Sequence, residues 1–105
     1  MNLSMQEMFD KVWERAKDKR KAVTPSRRCR YRNYAGLKCF VGELLSDEEY
    51  RPGMEGKPVA QLGLFAGREL ALLENFQLIH DVEAPNCWAV SLTQVARRFN
   101  LEVPR

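Results

Sequence analysis

Cysteine is scarce in this chain of 105 residues. Cys29, Cys39 and Cys87 are too few for a disulfide scaffold, and their odd number would leave one unpaired, so a reduced state is expected. Long hydrophobic runs are missing too: none approaches the ~18 residues that a membrane span requires. The opening stretch MNLSMQEMFDKVW carries acids where a signal peptide would carry bases and an apolar block. There is no internal repeat and no low-complexity linker. These absences exclude a secreted, disulfide-stapled module and a membrane protein, and the expectation is a cytoplasmic chain.

What is present is a globular composition, with 45% hydrophobic and 30% charged residues, unlike the charge-rich, apolar-poor profile of disordered chains. The length is right for one domain, 1–105, with a single core. The net charge of +3 conceals a split. Residues 1–42 hold 11 Lys/Arg against 4 Asp/Glu, and residues 43–105 hold 6 against 10. The first half is basic and the second acidic, an arrangement that attracts nucleic acid or an acidic protein to one face.

Hydrophobic periodicity predicts a mainly α fold, a compact domain of four to five helices carrying a short antiparallel β-ribbon at about residues 28–41. Ser4 with Glu7 forms a capping box, Leu3 can staple onto Met8, and Met5, Met8, Phe9, Val12, Trp13 and Ala16 make one stripe. Thr24-Pro25 is the expected stop. From Arg28 to Val41 the period changes to two. With the turn near Tyr34, Cys29 would face Cys39 and Tyr31 would face Leu37 on one side, leaving Arg28, Arg30, Arg32 and Lys38 on the other. Ser46 and Glu49 read as a further capping box, and Pro58 as a first helical residue. A longer helix is expected from about Arg68 to Glu83, broken by Ala84-Pro85. A last one should follow from Asn86 as N-cap, with Trp88, Leu92, Val95, Ala96 and Phe99 as its apolar stripe and Asn100 as terminator.

The pattern C-x-Y-x4-G-x2-C-x2-G-x-L, made by Cys29, Tyr31, Gly36, Cys39, Gly42 and Leu44, continues into Asp47, Tyr50 and the GMEG of 53–56. With Ile79-His80-Asp81 and Trp88, it resembles a group of small proteins of tailed bacteriophages and prophage-bearing bacteria that share no assigned activity. The resemblance spans most of the chain, although the turn Asn33-Tyr34-Ala35 departs from the group's turns. It implies an accessory protein that acts in the cytoplasm of a bacterial host by binding a host or defence protein, with neither catalysis nor a cofactor.

Three chemistries compete for the conspicuous residues. The basic group Lys17, Lys19, Arg20, Lys21, Arg27, Arg28, Arg30, Arg32 and Lys38, with Tyr34 at the ribbon tip, suits a partner-binding surface. The same residues would serve nucleic acid, the phosphates meeting the bases and Tyr34 stacking on a nucleobase. Cys29, Cys39, His80 and Cys87 have the inventory of a Cys3His zinc site, but none of their spacings has the usual two-to-four-residue bite. Cys87 with His80 and Asp81 has the inventory of a thiol enzyme, but no nucleophile signature surrounds it. The bland readings are core cysteines and solvated lysines. The acidic run Glu43, Asp47, Glu48, Glu49 and Glu55 suits a basic partner, or simply the first turns of helices.

Overall fold

The computed structural model describes residues 3–24 and 29–104. Four α-helices occur among them: α1 (Met5–Ala16), α2 (Phe40–Leu44), α3 (Gly67–Val82) and α4 (Trp88–Arg98). Short 3-10 turns at Pro52–Met54, Val59–Leu62 and Pro85–Cys87 link them. α1 packs against the other three helices, and α3 against α2 and α4. Their shared core holds Met8, Phe9, Val12, Phe40, Leu72, Leu73, Phe76, Trp88 and Leu92, all at most 1% exposed. Fully burying each such side chain is worth about 1.5–3 kcal/mol. The radius of gyration is 12.8 Å, against the roughly 13 Å of a globular chain this long.

α1 starts as its sequence dictates. The Ser4 hydroxyl accepts from the Glu7 N–H, and the Glu7 carboxylate accepts from the Ser4 N–H. It ends at Ala16 rather than at Thr24-Pro25, and Pro25 itself lies outside the described residues. Lys19 takes the left-handed conformation at φ 58°, and the buried Arg15 guanidinium donates to the carbonyls of Arg20 (2.7 Å) and Lys38 (2.6 Å). The chain is thereby turned back on itself, and Ala22 enters the core at 0% exposure. α4 closes on a Schellman motif. Leu101 N–H reaches the Ala96 carbonyl at 2.8 Å, with Asn100 at φ 55°. Asn86 is not its cap: the N-cap position is Cys87, which makes no side-chain capping bond.

The β-ribbon does not form as a sheet. Among the described residues there are only two isolated antiparallel bridges, Val23 with Cys29 and Arg32 with Lys38. Tyr31 lies opposite Cys39, whose N–H it accepts at 3.1 Å, so the pairing is shifted by two from the expected Cys29–Cys39 and Tyr31–Leu37 register. Asn33 sets the turn, its Oδ1 accepting from the N–H groups of Ala35 and Leu37, and Gly36 completes it at φ 82°. A shift of two leaves every side chain on its original face. Tyr31 and Cys39 are therefore still buried, while Cys29 and Leu37 are half-buried.

The ladder stops because Cys39 belongs to a helix. Its carbonyl accepts from Glu43 N–H at 2.9 Å, and its sulfur caps Gly42 N–H at 3.2 Å, so α2 begins where a strand would have run on. The Tyr31 and Arg32 N–H groups are taken instead by the two oxygens of Glu55, at 2.8 and 3.1 Å. One carboxylate replaces a strand edge.

Gly42 explains its place in the pattern. A Cβ there would run into the carbonyl of Tyr31, a backbone group that cannot swing aside. Gly42→Ala should destabilise the fold by at least about 2 kcal/mol in urea unfolding. Gly53→Ala, which meets nothing within 4 Å, should stay within about 0.5 kcal/mol of wild type.

Candidate functional site

Two of the expected groups of residues can be followed in the fold: the surroundings of His80, and the basic residues where α1 ends. His80 sits in the last turn of α3 at 0% exposure. Its ring stacks on Trp88 (centroids 5.5 Å, 22°) and meets Phe40 edge-on at 5.3 Å. Ala22 N–H donates to Nε2 at 3.1 Å, so that nitrogen carries no proton. The proton is on Nδ1, which donates to Asp81 Oδ1 at 2.9 Å. His80 is thus a neutral ring with both nitrogens committed.

Burial, reinforced by the charges of Arg15 and Lys21, outweighs Asp81 and holds the His80 pKa below its ordinary value. For Asp81, burial pushes upward but is outweighed by hydrogen bonds from His80, Cys29 and Gln77, and its pKa lies below the usual carboxylate range. Gln77 Nε2 reaches both Asp81 oxygens, at 3.2 and 3.1 Å, while its Oε1 accepts from the Cys39 thiol at 3.3 Å.

Cys29, His80 and Asp81 bring ligand atoms within 4.8 Å of one another. They do not fit zinc. A metal on Nδ1 would force the proton onto Nε2, where it would point at the Ala22 N–H, and the remaining inventory is scattered. Cys39 caps α2, and Cys87 is exposed beside Asn86. The Cys3His set is not assembled among the described residues. Burial, followed by the Asp81 charge, pushes the Cys29 thiol up to about 11, and burial pushes Cys39 up to about 12. Neither supplies a thiolate at neutral pH. The His80–Asp81 pair has the geometry of a base and its orienter, but the nitrogen that would act is closed by Ala22.

Beside this cluster, a cleft of about 510 Å3 separates α3 from the 55–59 loop, lined by Cys29, Tyr31, Glu55, Val59, Gln77 and Asp81 among others. Tyr31 and Glu55 in its wall are hydrogen-bonded within the chain. The Tyr31 hydroxyl donates to the Lys57 carbonyl at 2.6 Å, and the Tyr50 hydroxyl to Glu55 Oε2 at 2.7 Å.

The basic residues divide into two groups. Arg32 is not free in water. It donates to Asp47 Oδ1 (2.7 Å) and to the Leu45 carbonyl (3.0 Å), and its guanidinium lies 4.6 Å from the Tyr50 ring centroid. Arg30 faces Glu55 at 3.7 Å. Of the three arginines expected on the outer face, the two that are described, Arg30 and Arg32, are thus drawn against carboxylates. Arg27 and Arg28 lie outside the described residues. Arg15 bonds the backbone of Arg20 and of Lys38, which brings the segment carrying Lys17 to Lys21 beside Lys38, with Asp18 and Glu43 near the same guanidinium. Lys19 and the Lys38 side chain pair with no other described residue. Arg20 is held by Asp18, Lys17 by Glu14, and Lys21 donates to the Asp81 carbonyl at 3.3 Å. Tyr34, 80% exposed, tips the neighbouring turn. Arg15, Glu55 and Gln77 were missed as organising residues: each acts at long range on partners that periodicity does not reveal.

Comparison with known protein families, with curated proteins and with solved structures gives no match. No described helix is long and apolar enough to cross a membrane.

His80 is the chain's single histidine, so its titration can be read cleanly. Its folded-state pKa is depressed, so the unfolded chain binds the proton first and stability falls as pH drops below about 6.5. Thermal melts between about pH 7 and 5.5 should lose up to about 1.4 kcal/mol per pH unit. His80→Gln, less stable throughout, should show no such slope. Added zinc should leave the wild-type melting temperature unchanged, whereas a rise of several degrees would restore the metal reading.

Proposed function

We propose that this chain is a phage-type accessory protein that works without catalysis in the cytoplasm of a bacterial host, docking an acidic surface of a host or defence protein on its basic corner. The observation that carries this reading is the pair of hydrogen bonds from Arg15 to the Arg20 and Lys38 carbonyls. They gather two basic segments, remote in sequence, around one buried guanidinium. The docking residues are Lys19, Arg20, Lys21 and Lys38, flanked by Tyr34. Arg27 and Arg28 are carried over from the sequence, while Arg30 and Arg32 belong to the Glu55 and Asp47 contacts instead. Two further points support it: Cys29, Cys39 and His80 are spent on internal bonds, and the pattern that resembles the phage group falls largely on residues of the turn and α2.

Pull-down from a bacterial lysate at two salt concentrations, with wild type and Lys19→Glu/Lys38→Glu compared, tests the reading. Capture should weaken with salt and fall roughly tenfold or more in the double variant. Equal capture by both proteins would overturn it. Loss of capture after nuclease treatment, with salt-steep binding to generic DNA, would replace it with nucleic-acid binding.

A further inference from the structure

A small depression of about 130 Å3 lies between the end of α1 and the turn that opens α4. Trp13, Ala16, Pro85 and Ala89 line it with apolar surface, and Lys17 and Lys19 stand at its edge. The chain's two tryptophans differ here. Trp88 is fully buried, whereas Trp13 stacks on Phe9 (centroids 6.0 Å, 21°) and remains half-buried, lining the depression. The volume is close to that of a cavity known to admit one benzene ring, about 150 Å3.

We infer that this depression is the anchor pocket of the basic corner, taking one aromatic or branched aliphatic side chain from a partner segment that carries carboxylates on both sides of that anchor. The inference rests on the docking role of the corner and specifies the partner's chemistry. Apolar walls receive the anchor. Lys19, exposed and paired with no other described residue, meets a flanking carboxylate, and Lys17, paired only at the surface with Glu14, meets another. Asp18 does not oppose them, because Arg20 holds it. A buried side chain ringed by paired charges is the arrangement in which a few residues dominate an interface, and charges at the rim set its orientation and its salt dependence.

The test uses the full chain and three synthetic peptides, Glu-Asp-Phe-Asp-Glu, Glu-Asp-Ala-Asp-Glu and Lys-Lys-Phe-Lys-Lys, with iodide quenching of tryptophan emission as readout. Buried Trp88 is silent to iodide, so quenching reports Trp13. The acidic phenylalanine peptide should protect Trp13 and bind roughly tenfold more tightly than either of the others. Ala89→Leu fills the pocket at an exposed position without altering charge and should abolish the protection. Ala89→Glu should do the same by repulsion, and circular dichroism should show both variants folded. No protection, or equal protection by the alanine peptide, overturns the inference, and so does self-association of the chain that Ala89→Leu abolishes. The two readings fail separately. Lysate capture that survives both Ala89 variants but is lost in Lys19→Glu/Lys38→Glu sinks the pocket and leaves the corner standing. Capture indifferent to the lysines sinks the corner itself.

Discussion

A neutral imidazole wedged between a backbone N–H and a carboxylate organises this fold. His80 draws the 17–24 crossing to α3 through Ala22 and fixes Asp81 beside it, and its ring fills the space between Trp88 and Phe40. Asp81 then receives Gln77 and the Cys29 thiol, and Gln77 reaches on to Cys39, the cap of α2. Polar atoms buried this deeply are favourable only while every partner is present. The neutral ring therefore has both nitrogens committed, while its charged neighbour Asp81, a third exposed, also lines the cleft.

The second constraint is the shortage of strand. With Cys39 drawn into α2, the 29–39 segment cannot extend its ladder, and Glu55 satisfies the N–H groups left over. The same carboxylate takes the Tyr50 hydroxyl, and Tyr50 supports the Arg32 guanidinium. Arginines are thereby consumed inside the acidic half of the molecule, while lysines at the end of α1 remain outside. The formal charge split along the sequence is thus not the charge split of the surface. Arg30 and Arg32 are drawn against carboxylates, and Lys17 and Lys19 near the end of α1 stay exposed.

Much of the scaffold was legible in the sequence. The Ser4–Glu7 box, the apolar stripe of α4, the Asn100 terminator and the inward placement of Tyr31 and Cys39 follow from local chemistry and period. The early end of α1 was not legible, since it depends on Arg15 bonding to Lys38 across the fold. Nor was α2, because its cap is a cysteine sulfur inside a segment whose alternation reads as strand. The His80–Asp81 pairing was visible as a neighbouring dyad. Its closure by Ala22, 58 residues away, left no trace in any spacing. Long-range bonds from side chains to backbone carry no periodic signature, and here they decide which site residues stay available.

The tautomer and charge of His80 test this account most directly. Two-dimensional 1H–15N correlation spectra of the imidazole, recorded across neutral and acidic pH, should show a neutral ring protonated on Nδ1 that titrates below the ordinary histidine range. A proton on Nε2 at neutral pH, or titration at an ordinary histidine pKa, would contradict it.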